Sequence, residues 1–575
     1  MNRKTLVMAL LCLIFNQHLL AQDRANYFIQ DSLLIKTKDG ATLSAVLVRK
    51  KGVTGKQPTA LMFFIYANLE RSLSEAKSAA DHGYVGIVAD TRGKRLSPDR
   101  IEPYEHETKD VNAIIDWIIQ QPWSDGRVGM YGGSYSGFAQ WAATKNLHPA
   151  LKTIVPYVAA IPGQGLPMEN NIFITANYQW AFYVTNTKYL DDAVNNDRLR
   201  WRKMQRNWYQ SGAAFNKIDS IDGTPNPWLQ RWLLHPSYDS YWQAMVPYQA
   251  DFSNINIPVL SITGYYDDGQ ISALHYLKEH YKYNPKAAHY LIIGPYNHFG
   301  AQKGGTPVVQ GYQVDPIALI DTREITFQWF DYIFKGGKKP DLLKDKINYE
   351  VMGANVWKHV SSIAKMSDTT LTFYLGNLKS GANYGLSLQK PVKSGFITQK
   401  VNLANRKTVN NDYYPDPILK AELDRSNGLF FITKPFDKEI AINGFFTGVL
   451  KAKINKMDMD IGLVFYEVLP DGRYFQLSYL LQRASYAKDM STRTLLKPGQ
   501  IEAIPFERSR MVSKLLSKGS RLMVVLNIDK NPFAQINYGT GKEVSKETIL
   551  DAKIPLKIEW YTDSFIKVPV AFEKK

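Results

Sequence analysis

Cysteine is all but absent: the 575 residues include one, Cys12. A lone thiol closes no intramolecular disulfide, and thiolate-bound zinc is excluded for want of ligands. Long hydrophobic runs are lacking as well. Nowhere in the body of the chain do apolar residues continue for the roughly 18 positions that mark a membrane helix, so no stable membrane insertion is expected. Internal repeats and low-complexity tracts are missing. Basic residues outnumber acidic ones, 70 to 53, for a formal net charge of +17. They are scattered, not clustered with stacking aromatics, which reads as a solvated surface in preference to a nucleic-acid footprint.

The N-terminus differs from the rest. Arg3 and Lys4 precede an apolar stretch, Leu6 to Phe15, and Leu19-Leu20-Ala21 precedes Gln22. This is the pattern of a secretory signal cut after Ala21, which would remove Cys12 and with it any cysteine chemistry. Lipidation is rejected because Leu11, before Cys12, is too large. Export is expected, to the periplasm ahead of the extracellular medium.

A length of 575 residues calls for two or three domains. Up to about residue 345, buried apolar runs alternate with helical patterns. A hairpin turning at Asp39-Gly40 is followed by Ala60–Tyr66, a polar helix over Glu70–His82, and the run Tyr84–Ala89. A helix with Val111, Ile114, Ile115 and Ile118 on one face leads to the strand Val128–Tyr131. That alternation predicts an α/β core with a parallel sheet, whose active groups gather beyond the strands' carboxyl ends. Leu151–Val155 is the next strand. From about Pro162 to Gln249 the pattern turns helical and aromatic, with Trp180, Trp201, Trp208, Trp228, Trp232 and Trp242, and is expected to form a cap. The sheet resumes at Ile257–Gly264 and Tyr290–Ile293, and a helix over Ile317–Phe334 closes the core, domain 22–345. Residues 346–575 change to short strands with turns such as Pro470-Asp471-Gly472-Arg473, an all-β sandwich or jelly roll.

Chemistry concentrates in Gly132-Gly133-Ser134-Tyr135-Ser136-Gly137. Small residues around one serine, after a strand and before a helix, make a nucleophile elbow. Ser134 is favoured over Ser136 because Gly132 stands two before it. Serine needs a base, and the base an orienting carboxylate. Asp267 and His298 each follow a strand, in the chain order Ser, Asp, His of α/β-hydrolases. Asp268 is the rival acid, while His82, His106, His148, His235, His280 and His289 read as helix-surface or loop residues.

These segments resemble the Xaa-Pro dipeptidyl-peptidase and cocaine-esterase family of serine hydrolases, which also includes α-amino acid ester hydrolases. The resemblance lies in the elbow, in Gly264-Tyr265-Tyr266-Asp267 and in Gly294-Pro295-Tyr296-Asn297-His298. Asp90-Thr91-Arg92-Gly93 and Gln121-Pro122-Trp123-Ser124-Asp125-Gly126 fit it too, as does the order hydrolase core, helical cap, jelly roll. The family spells its elbow G-x-S-Y-x-G, which accounts for Ser136 and Gly137. The resemblance implies Ser134 as nucleophile, His298 as base and Asp267, preferred to Asp268, as its orienting acid. It implies an oxyanion hole from the Tyr135 backbone N–H and the Tyr66 hydroxyl, and neither metal nor organic cofactor. Amino acid ester hydrolases carry a Glu-Asp pair just beyond the catalytic aspartate; here stand Asp268-Gly269-Gln270, so that cluster is incomplete. Asp268 is a candidate for holding a substrate ammonium, as is Glu169 from the cap, which equally reads as a surface acid. The expected activity is cleavage of an ester or amide in a small-molecule or peptide acyl substrate, as an Xaa-Pro dipeptidyl-peptidase or an acyl esterase. A non-catalytic glycan-binding protein on the same fold is the rival from another class.

Overall fold

The computed structural model describes residues 25–572; the expected signal, Cys12 included, lies outside them. The chain forms two compact units. The first runs to Pro156 and takes in Val184–Leu190 and Glu324–Lys339; the second comprises Tyr157–Tyr183, Asp191–Arg323 and the chain from Pro340.

The first unit holds β1 (Tyr27–Lys36), β2 (Thr42–Lys50), β3 (Gln57–Phe64), α1 (Leu69–Asp81), β4 (Val85–Asp90), α2 (Glu107–Ile119), β5 (Ser124–Gly133), α3 (Tyr135–Lys145) and β6 (Leu151–Tyr157). Its strands lie in the order β1-β2-β4-β3-β5-β6, with β3 parallel to both β4 and β5. Lys36 pairs with Thr42, so the first hairpin has a longer loop than the two-residue turn expected from Asp39-Gly40. All residues of β3 and β4 are buried, the reason their apolar residues run on without alternation. Val111, Ile114, Ile115 and Ile118 of α2 are buried, which accounts for their helical spacing. The helix Thr322–Lys335 contributes Phe327, Phe330 and Phe334, whose rings pack on Tyr84, and Phe327 and Phe330 also meet Tyr131. Each such buried ring stabilises by about 1.5–3 kcal/mol. A Cβ at Gly129 would stand 2.8 Å from the Phe334 ring, so β5 carries glycine where that helix crosses it.

In the second unit, β7 (Val259–Tyr266) and β8 (His289–Asn297) pair in parallel and are joined by α4 (Gln270–Tyr283); α5 (His298–Lys303) follows β8. Next to β8, also in parallel, comes β9 (Ile347–Val351), paired on its other side with antiparallel β10 (Val356–Val360). The expected boundary after residue 345 falls just before β9, and the parallel sheet runs on across it. Every residue of β9 is buried, whereas the strand that begins at Thr369 is mostly exposed or half-buried. From there on the chain is mostly β. Its turn at Pro470-Asp471-Gly472-Arg473 joins antiparallel strands Asp460–Val468 and Tyr474–Arg483 as expected.

Between β6 and β7 the chain is helical, as expected, with Ala176–Thr185, Arg198–Ser211 and Pro227–Trp232 among its helices. Trp201, Trp208, Trp228, Trp232 and Trp242 are buried, so most of its tryptophan serves packing. His280 and His289 are also buried, against the expectation of helix-surface or loop positions. Ser261 Oγ lies 2.8 Å from His289 Nε2, His289 Nδ1 lies 3.1 Å from His280 Nδ1, and His280 Nε2 reaches the Ile255 carbonyl at 2.9 Å. One neutral tautomer of each ring satisfies the whole chain of bonds, which is why two imidazoles can be buried together.

Candidate active site

β5 ends in a turn that only particular residues can make. Gly132 has φ +129°, and a Cβ there would sit 2.8 Å from that of Ser136. Ser134 follows with φ 60° and ψ −116° as the N-cap of α3, a sparsely populated conformation for a residue with a side chain. Gln140, buried one turn into α3, donates to the carbonyls of Gly132 at 3.0 Å and Ser136 at 2.9 Å. Ser134 is half-buried while Ser136 is buried, so the two serines suggested by the sequence differ in access.

Tyr135 begins α3 with its side chain buried. Its hydroxyl accepts the Tyr104 backbone N–H at 2.9 Å and donates to the Glu107 carboxylate. Its ring stacks on Tyr104, with centroids 5.1 Å apart, and meets the Tyr66 ring edge-on at 6.4 Å. The two expected oxyanion residues, Tyr66 and Tyr135, are thus neighbours in the first unit. Glu107 is itself buried, and burial, opposed by the Tyr135 hydrogen bond, raises its carboxyl to about 8.

In the second unit, β7 and β8 bring Asp267 and His298 together. His298 Nδ1 lies 2.8 Å from Asp267 Oδ1. Asp267 is buried and also accepts the Thr263 hydroxyl at 2.7 Å and the Gly269 N–H at 2.9 Å. With the carboxylate so fixed, His298 carries its proton on Nδ1 and leaves Nε2 as a base. Burial works to lower the His298 pKa, but the hydrogen bond and charge of Asp267, joined by Asp268, outweigh it, and the net shift is upward. A Cβ at Gly264 would stand 2.0 Å from the Tyr296 carbonyl; glycine lets the two strand ends approach at this point.

Asp268 and Glu169 have different surroundings. Asp268 is solvent-accessible and accepts the Tyr414 hydroxyl at 3.0 Å. Surrounding protein, opposed by His298, raises its pKa, and Asp267 adds to the rise. Glu169 is buried, with its two oxygens 2.9 and 3.1 Å from the Arg510 guanidinium. Arg510 also donates to the Asp268 carbonyl at 3.2 Å and lies over the Tyr479 ring. Glu169 thus sits in a closed ion pair. Arg510, Tyr414 and Glu107 were not singled out from the sequence: Arg510 is one basic residue among 70, and its partner is 341 positions away.

Among the described residues, Glu102, Glu105 and His106 bring metal-ligating side chains within 4.8 Å of one another. His106 Nε2 lies 2.7 Å from the Glu102 carboxylate, within hydrogen-bond distance. No helix among the described residues is long and apolar enough to cross a membrane.

This combination of an α/β-hydrolase-like N-terminal part and a mostly-β C-terminal part defines a class of serine hydrolases. Residues 39–300 match the family model for X-Pro dipeptidyl-peptidase of the S15 family, and residues 343–554 match that of the X-Pro dipeptidyl-peptidase C-terminal non-catalytic domain. The chain is 24% identical to the cocaine esterase of Rhodococcus sp. (strain MB1 Bresler) over 573 residues, 91% of this chain and 95% of the relative. Among solved structures, an aminopeptidase from a marine-sediment Thaumarchaeota archaeon superposes with TM-score 0.78 at 20% identity, covering 95% of this chain and 97% of the other. An α-amino acid ester hydrolase superposes with TM-score 0.75 at 21% identity over the same shares. The chain belongs to the Xaa-Pro dipeptidyl-peptidase and cocaine-esterase family of α/β-hydrolases, and is a serine hydrolase with acyl esterase or peptidase activity.

Proposed function

We propose that Ser134 attacks the acyl carbon of an ester or amide whose acyl part carries a free amine close to the reacting carbonyl. His298 Nε2 takes the serine proton and returns it to the leaving group, while Asp267 holds the imidazole tautomer and stabilises the imidazolium. The Tyr135 N–H and the Tyr66 hydroxyl receive the oxyanion, donors each worth a few kcal/mol in such sites. Water then releases the acyl group from the serine. The observation that carries this reading is the 2.8 Å His298–Asp267 hydrogen bond; the strained backbone of Ser134 adds to it.

The preference for an aminoacyl or dipeptidyl group rests on Asp268, an accessible acid next in the chain to Asp267 and coulombically coupled to His298. A substrate ammonium there would meet a carboxylate, and Glu169 is left aside because Arg510 already pairs with it. The second reading is a simple acyl esterase, favoured by the likeness to the cocaine esterase. We also propose that the protein is exported and loses its first 21 residues.

Three substrate sets decide between the readings: Gly-Pro and Ala-Pro anilides, aminoacyl esters, and aryl acetates. The expected result is turnover of amine-bearing substrates, with Asp268→Asn raising their KM about tenfold or more and leaving aryl acetates little changed. Turnover confined to aryl acetates would establish the simple esterase. Ser134→Ala should lower kcat by about 10⁴ or more on every substrate. Because His298 must be neutral to act and its pKa is raised, the acid limb of kcat/KM should fall above the ordinary imidazole value of about 6.5.

A further inference from the structure

We propose that Glu107 and the phenol of Tyr135 form a positioning device that aims both oxyanion donors, the main-chain N–H of Tyr135 and the hydroxyl of Tyr66. The proposal rests on the reading of Ser134 as nucleophile given above.

A ring at position 135 could be packed as phenylalanine; the hydroxyl is what needs a reason. Here it makes two hydrogen bonds, accepting from Tyr104 N–H and donating to Glu107. Glu107 is buried and also accepts the His106 N–H at 3.2 Å through its second oxygen. Keeping a carboxyl out of water is costly unless its hydrogen bonds are made, and a core built for stability alone would hold an apolar pair. Tyr104, which donates to the phenol, is held at φ +74°, a strained value for a bulky residue.

The device is connected to the chemistry in two ways. Tyr135 directly follows Ser134, so anchoring its side chain at both the ring and the hydroxyl restrains the backbone from which its N–H projects. Tyr66 stands edge-on to the same ring at 6.4 Å, and Tyr104 stacks on the ring at 5.1 Å. Three separate stretches of chain, the end of β3, the loop before α2 and the elbow, therefore meet on one side chain. Oxyanion donors act only when aimed at the place where charge develops, and small misplacements are expensive in rate. Glu107 and the Tyr135 phenol touch neither substrate nor reacting atoms in this scheme; they are positioning groups.

The test uses the full chain and measures kcat and KM on an activated ester, the Ki of phenylboronic acid as a tetrahedral anionic mimic, and Tm. Tyr135→Phe keeps the ring and removes the hydroxyl. It should lower kcat about tenfold to a hundredfold, weaken the boronate by a similar factor and leave KM within about twofold. Glu107→Leu should do the same, and the double variant should be no worse than either single one. Glu107→Gln retains an acceptor for the phenol and should restore most of kcat. Should Tyr135→Phe fail to fold, the Leu and Gln variants of Glu107 give the comparison by themselves. Wild-type kcat and boronate affinity in Tyr135→Phe or Glu107→Leu would overturn the proposal, as would a drop in Tm with kcat unchanged. Full turnover by Ser134→Ala would overturn the nucleophile assignment itself, a separate arm that fails independently of the other variants.

Discussion

Ser134 shows how a single backbone angle can mark a candidate nucleophile. Its φ of 60° costs of order 1–3 kcal/mol for a residue with a side chain, and the turn persists because Gly132 and Gln140 hold the chain on both sides. The glycine was legible in the sequence; the glutamine was not, since nothing local distinguishes it from any helix residue. The burial of the pair His280–His289 is hidden from the sequence for the same reason. Their sequence context looks solvated, and only the approach of Ser261 and the Ile255 carbonyl makes burial possible. Burial lowers the pKa of both rings, and for His289 the neighbouring His280 adds to it. The folded protein therefore keeps them neutral while the unfolded chain protonates near pH 6.5. Their contribution is present above that pH and is lost as pH falls below it. His289→Gln is expected to cost about 2–3 kcal/mol at pH 7.5, with the deficit relative to wild type shrinking by up to about 1.4 kcal/mol per pH unit below 6.5. Urea unfolding of both proteins at pH 7.5 and 5.5 measures this; a deficit equal at both values would mean the rings do not stay neutral.

At the scale of elements, strands and helices of the α/β part follow from period and burial. Runs such as Leu61-Met62-Phe63-Phe64 lie buried on both faces, and the helix faces read from Val111 to Ile118 are the buried ones. What escaped was membership: β9 has the length and turn flanks of a β-domain strand, yet pairs in parallel with β8. The short hairpin Met168–Glu169 and Ile172–Phe173 is another case. Glu169 is a candidate for holding a substrate ammonium, and the structure pairs it with Arg510. Losing one member of a buried pair leaves an uncompensated charge, at about 3–5 kcal/mol. Glu169→Leu and Arg510→Met should each lower stability by about that amount, and the double variant should regain much of it. Chemical denaturation of the four proteins supplies the cycle. Additive losses would show that the two groups do not stabilise each other.

For the whole molecule, composition sets firm limits. With one cysteine in the chain, stability comes from packed cores: the rings of Phe327, Phe330 and Phe334 in the first unit, and the cluster of Phe430, Val464, Tyr466, Tyr479 and Met523 in the β domain. A reducing agent should therefore leave Tm unchanged, whereas a shift of several degrees would reveal cross-linking between chains. Expression in a host with a general export pathway should yield a product whose intact mass begins at Gln22. Retention of the first 21 residues would remove the case for export.

The sequence by itself determined the class of the molecule. Apolar runs, turn residues and the order of Ser134, Asp267 and His298 are local features, and burial, steric allowance at glycine and strand ends act locally to produce them. Only the tertiary structure decided the partners of the polar residues. That Glu169 meets Arg510, that His289 faces Ser261, and what the Tyr135 hydroxyl binds depend on groups tens to hundreds of positions away. A buried polar group must be satisfied by whatever the fold brings to it, and sequence spacing carries no record of that meeting.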